Sequence, residues 1–173
     1  MQVIFHEWIM SRTGKTVRWL ALLLLSGLLF LSLPSCVNLF DSGDQFSTAD
    51  LEAKIFKLAN DHRLSIGRTA LVWNEAMADE ERAHSQAIAN GQVPVGHQGF
   101  EDRIARIKEI IPWSVIAENI ASARNAQDAL DAWLRSPDHQ VIIEGDFDLT
   151  GVGVAKDPDG PLYYFSQMFL KPL

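Results

Sequence analysis

One cysteine, Cys36, is the only thiol in this 173-residue chain, so no disulfide can form within it. Basic side chains are also in deficit, since 15 Lys and Arg face 22 Asp and Glu, for a formal net charge of −7. Residues 1–35 carry Arg12, Lys15 and Arg18 against Glu7 alone, so the remainder is more acidic still. A surface that follows phosphates needs the opposite balance, which excludes nucleic acid as a partner. The local signatures of catalysis are missing as well. There is no Gly-x-Ser-x-Gly, no His-Glu-x-x-His, no phosphate-binding loop and no Gly-x-Gly-x-x-Gly. Any active site must therefore be assembled from positions far apart in the chain. Hydrophobic residues at 47% and charged residues at 21% mark a globular chain rather than a disordered one. The length suits one domain and is short for two.

The basic residues Arg12, Lys15 and Arg18 precede an apolar run over residues 19–33. This is the order of a signal peptide, and the run is short for a stable membrane span. Met10 makes a more typical start than Met1, because residues 1–9 have no basic character. Leu33-Pro34-Ser35-Cys36 follows directly. It resembles the bacterial lipobox, in which the cysteine becomes the lipidated first residue of the mature protein. The resemblance implies a membrane partner through lipid on Cys36 and an exported, membrane-anchored protein facing the periplasm or the cell exterior. Ordinary cleavage nearby, leaving a free thiol, and an uncleaved anchor are the alternatives. The expected organisation is a signal peptide over 1–35, a lipid-anchored tether over 36–47 and one domain over 48–173.

Within the domain the pattern is helical first and β last. Ser47 or Thr48 caps a helix whose inward stripe is Leu51, Ile55, Leu58 and Ala59, with Glu52 elsewhere, and which ends before Gly67. After the apolar piece 70–73, Asn74 caps a second helix with Ala76, Met77, Ala83, His84, Ala87 and Ile88 inward, ending at Asn90-Gly91. Glu80-Glu81-Arg82 reads as its solvated face. A short helix runs from Phe100 to Ile110 and stops at Pro112. Asn125 caps another, with Ala126, Ala129, Leu130 and Trp133 as its apolar face. Ser136-Pro137 opens a further one with Pro at its first position. Two β-rich runs joined by Pro158-Asp159-Gly160 form a terminal hairpin. The fold class expected is α+β, with helices covering a small antiparallel sheet.

Several short pieces recur in a telling order. They are Asn60-Asp61-His62-Arg63, Leu71-Val72-Trp73-Asn74, Ala83-His84-Ser85, Gly96-His97-Gln98-Gly99-Phe100 with Arg103, and Ala117-Glu118-Asn119-Ile120-Ala121. Then come Trp133-Leu134-Arg135-Ser136-Pro137-Asp138-His139, Gly151-Val152-Gly153-Val154 and Gln167-Met168-Phe169. This order resembles the CAP superfamily of cysteine-rich secretory, antigen 5 and pathogenesis-related proteins, in its bacterial, cysteine-poor branch. The resemblance spans residues 51–169. It implies an α-β-α sandwich with an open cleft holding His97, Glu118 and His139, which in some members takes a divalent metal. Where eukaryotic members have a second glutamate after the tryptophan, this chain has Ser136.

Two neutral imidazoles and a carboxylate match a zinc site with one open position, and Glu118 suits either a ligand or a general base. His139 lies near a helix start, where the dipole disfavours imidazolium. The expected ligand cleft comprises His97, Glu118, His139, Asn119 and Ser136, with His97, His139 and Glu118 as the metal set. The first functional expectation is a cell-envelope protein binding a small-molecule, lipid or cell-wall ligand. The alternatives are a metal-dependent, peptidase-like hydrolase using Glu118, His97 and His139, and a structural protein–protein adaptor in which the trio is only a hydrogen-bond network. His84 reads as a satisfied core histidine and His62 as a surface one. Arg103 reads as a structural ion-pair partner, Asn119 as a backbone-bonding loop residue, and Trp73, Trp113 and Trp133 as core.

Overall fold

The structure, a computed structural model, describes residues 46–173. The expected signal peptide, the lipidation of Cys36 and nearly all of the tether lie outside the described residues. The first helix, α1 (Thr48–Ser65), opens on a reciprocal cap, in which Ser47 Oγ accepts the Asp50 N–H at 3.1 Å and Asp50 reaches back to Ser47. Leu51, Ile55 and Ala59 are buried along it, and Gly67 takes the left-handed conformation just beyond its end. A two-residue strand β1 (Val72–Trp73) leads to α2 (Glu75–Ala89), where Asn74 Oδ1 accepts the Met77 N–H. Next come α3 (Phe100–Ile110), strand β2 (Trp113–Ala123), α4 (Ala126–Arg135) capped by Asn125, and α5 (Pro137–Ile143). The chain closes on β3 (Leu149–Lys156) and β4 (Tyr163–Pro172).

The sheet has the order β1-β3-β4-β2. The terminal hairpin pairs β3 with β4, and β2 pairs with β4 from Trp113↔Pro172 to Ala123↔Tyr163, both antiparallel. The sheet is small and antiparallel as expected, except that the two-residue β1 joins β3 in parallel at Val72↔Leu149 and Trp73↔Thr150. Strand β2 was not foreseen, and Asn119 lies on it rather than in a loop. Its physical disguise is burial on both faces: Ile116, Glu118, Asn119, Ile120 and Ala121 are all covered, so no polar-out alternation marks it.

Helices cover both faces of the sheet. On one side α1 and α4 pack Ile55, Ala59, Leu130 and Trp133 against Val152, Phe165 and Phe169. On the other, α2 and α3 bring Met77, Ile104 and Ile107 onto Ile116, Met168 and Leu170. Alternation along β4 accounts for the split, since Phe165 and Phe169 face one way and Ser166, Met168 and Leu170 the other. The α-β-α sandwich expected from the sequence is therefore present.

Two glycines set how closely α2 approaches. A Cβ on Gly153 would lie 2.0 Å from the Glu81 carbonyl carbon, and one on Gly151 would lie 2.2 Å from the Ala78 nitrogen. The helix backbone thus rests directly on β3, and Ser85 Oγ donates to the Gly153 carbonyl at 3.0 Å. This contact sets the phase of α2 and corrects two expectations, at Glu81 and Ala83. Glu81 is fully buried rather than solvated, Ala83 is exposed rather than inward, and Ser85 is core. Glu52 on α1 is buried as well, held by the Arg82 guanidinium at 2.9–3.1 Å and accepting the Val154 N–H.

Candidate functional site

The site is built where β2 passes α3 and the loop before it. Glu118 points from β2 toward the α2–α3 side, and its Oε2 accepts the His97 Nδ1–H at 2.7 Å. Arg103, one turn into α3, donates to Glu118 Oε1 and to the Gln98 carbonyl at 2.7 Å. It also donates to His84 Nδ1 at 3.1 Å, which leaves His84 Nε2–H to donate to the Gly96 carbonyl at 2.8 Å. Two bonds therefore assign His84 as a neutral, satisfied core imidazole. On the far side of the guanidinium, Glu81 Oε1 stands 3.6 Å from Arg103 Nε.

Four ionisable groups thus share one buried space with a single permanent cation. Burial drives the Glu81 carboxyl well above the usual carboxylate range, and the adjacent Glu118 adds to this, so Glu81 is held as the neutral acid. Burial would also raise Glu118, but the hydrogen bond from His97 and the charge of Arg103 outweigh it and hold Glu118 below its ordinary value. Burial and the neighbouring Arg103 charge lower His84. The arrangement separates the two carboxyls into one acid and one carboxylate.

His139 lies near His97 and bonds to Ser136 and Asn119. Its Nδ1 bonds Ser136 Oγ at 2.9 Å, and its carbonyl accepts from Asn119 Nδ2 at 3.1 Å. Burial and then the nearby His97 lower its pKa, which favours the neutral imidazole. Asn119 is the strand neighbour of Glu118 and faces the opposite side of the sheet, so it positions α5 and does not join Glu118. The structure therefore joins His97 with Glu118 and Ser136 with His139. It adds Glu81 and the roles of Arg103 and His84. Glu81 had a signal in the sequence: Met77, Glu81, His84, Ser85 and Ile88 recur at helical spacing, and a charge within that stripe marks a buried carboxyl.

Beside the His97–Glu118 pair runs a groove of about 500 Å³. His97, Phe100 and Glu118 form one end, and the walls continue along 114–118, Val141, Ile142 and 145–147 to Lys171. Five consecutive residues of one strand line it, which alternating side chains permit only along the strand's outer edge. β2 is that edge strand. The groove's mouth carries two valines that water should disfavour, Val115 at 48% and Val141 at 58% exposure. One wall is tied from below by Arg63, whose buried guanidinium donates to the carbonyls of Ile143, Gly145 and Phe147 at 2.6–3.0 Å. His62, expected at the surface, is half-buried and pairs with Glu144 at 2.9 Å. Trp133 is core as expected, whereas Trp73 and Trp113 are only partly covered.

The expected three-residue metal set does not assemble. Among the described residues, no three His, Cys, Asp or Glu side chains are grouped to hold one ion. No described helix is long and apolar enough to cross a membrane.

Comparison with known proteins gives no significant match among curated sequences. Solved structures are similar in fold. An outer surface protein of Borrelia burgdorferi aligns with a TM-score of 0.64 at 17% identity, covering 74% of this chain and 97% of that one. A cysteine-rich secretory protein of Staphylococcus aureus aligns at 0.61 and 18%, covering 73% of this chain and 40% of that one. An extracellular protein of Bacillus anthracis containing an SCP domain aligns at 0.59 and 23%, over 73% and 44%. This chain thus spans less than half of the latter two. The model of the cysteine-rich secretory protein family, CAP, matches residues 56–169, and the chain belongs to that family.

Proposed function

We propose that this protein is an exported, lipid-anchored member of the family that binds a ligand with an apolar part in the groove beside His97 and Glu118. The observation that carries the reading is the groove itself. It joins an apolar channel with exposed valines to one imidazole–carboxylate pair fixed at its end. Exposed valines clustered at one cavity are what a binding surface needs and a plain solvated surface does not. Export is supported by the signal-like residues 1–35, and the similar folds of an outer surface protein and an extracellular protein agree with it. Lipid on Cys36 would hold the domain at the membrane, within reach of lipid or wall-derived ligands.

Nile red is a suitable first probe, with palmitate as competitor. The domain over residues 48–173, in detergent-free buffer, is expected to bind the dye and blue-shift its emission. Val141→Glu should abolish binding with the circular dichroism unchanged. Val72→Glu, at an exposed valine outside the groove, should leave binding intact. Equal binding by the Val141→Glu variant would remove the groove from the account and favour the adaptor reading. In cells, Cys36→Ser should abolish incorporation of a labelled fatty acid into the protein.

A further inference from the structure

The family resemblance implies a divalent metal among His97, Glu118 and His139, and in this chain the Glu118 carboxylate does not fit as a ligand. Glu118 Oε2 holds the His97 Nδ1–H at 2.7 Å and Oε1 holds Arg103. The Nδ1 of His139 bonds Ser136 Oγ at 2.9 Å, and among the described residues no three His, Cys, Asp or Glu side chains are grouped around one point that an ion could fill. A guanidinium already lies where an ion would have to meet the carboxylate, and it repels a second cation. We propose that Arg103 is the resident cation of this cleft: it neutralises Glu118 in place of a divalent ion, so that the His97–Glu118 pair is set without metal.

The placement of Arg103 is over-determined. It donates to the Gln98 carbonyl and to His84 Nδ1, its guanidinium lies 5.6 Å from the Phe100 ring centroid, and Glu81 stands on its far side. Gly99, left-handed at φ 72°, is the N-cap of α3, whose buried face includes Arg103. Arginine also differs from a metal in being non-exchangeable: it cannot be chelated or lost by protonating its ligands. His84, which accepts from the guanidinium, then acts as a positioning residue that aims it at Glu118.

Zinc titration reads this independently of whether the groove takes a ligand. The full chain in mild detergent is titrated with zinc by calorimetry, beside Arg103→Gln, Arg103→Lys and the double variant Arg103→Gln/His97→Ala. The wild type and Arg103→Lys, which keeps a cation, are expected to bind no zinc at micromolar concentration. Arg103→Gln should bind one zinc per chain at least about tenfold tighter than the wild type, and the double variant should lose that gain. An Arg103→Gln chain that folds only when zinc is present supports the proposal in the same way. One zinc bound tightly by the wild type and lost in His97→Ala overturns it, as does an Arg103→Gln chain that zinc neither binds nor rescues.

Discussion

The two faces of the sheet are buried by different chemistry. Under α1 and α4 the contact is a continuous apolar core of Ile55, Leu130, Trp133, Phe165 and Phe169. Under α2 and α3 the apolar patch around Met77, Ile107 and Met168 gives way to Glu81, His84, Arg103 and Glu118, all buried. An apolar face stabilises by area removed from water, and its strength depends little on pH or partner geometry. A charged interior depends on every partner being in place, because each ion left alone keeps its desolvation penalty. Such a cluster is costly to maintain for stability alone, and here it lies at the end of an open groove. The contrast separates the half of the molecule that holds the fold from the half that presents a site.

Substitutions can test this contrast. Removing the cation by Arg103→Ala strands the Glu118 carboxylate and should cost about 3–5 kcal/mol. Trp133→Ala, its counterpart on the apolar face, should cost a similar amount, about 3–5 kcal/mol. Urea unfolding across pH distinguishes them: the Trp133 loss should be flat, and the Arg103 loss should shrink as acid neutralises Glu118. Gly153→Ala forces a Cβ onto the α2 backbone and should cost about 3 kcal/mol, the upper end for overpacking, with α2 displaced. Asn125→Ala removes only the cap of α4 and should cost about 1 kcal/mol.

The smallest effect at acid pH is expected for Glu81→Gln, which mimics the neutral acid. Because the folded-state pKa of Glu81 is raised, its contribution is present below the ordinary carboxylate range and is lost as pH rises toward the folded value. Glutamine removes that loss. The stability difference between Glu81→Gln and wild type should therefore move in the variant's favour from pH 4 to pH 8, read by urea midpoints. A difference that stays constant over this range would mean that Glu81 is not held as an acid.

What the sequence made legible follows from locality. Caps at Ser47, Asn74 and Asn125, Pro137 at a helix start and the Pro158-Asp159-Gly160 turn act within a few residues, and each marked its element. Strand β2 was hidden because burial on both faces erases the two-residue period. The pairing of His97 with Glu118 was within reach through the family's motifs, but the inward turn of Arg103 toward both was not. That turn depends on α2 resting against Gly151 and Gly153, contacts between segments about 70 residues apart. Glu81 was misread for the same reason: its neighbours Glu80 and Arg82 are partly exposed, and only the helix phase separates them.

The most direct test of the account is amide chemical-shift mapping of the labelled soluble chain titrated with Nile red and then with palmitate. The account predicts shifts confined to 114–118 on β2, to Val141 and Ile142, to 145–147 and to His97, with α1 and α4 silent. Shifts centred on α1 and α4, with 114–118 unchanged, would contradict it and move the binding site to the apolar half of the molecule.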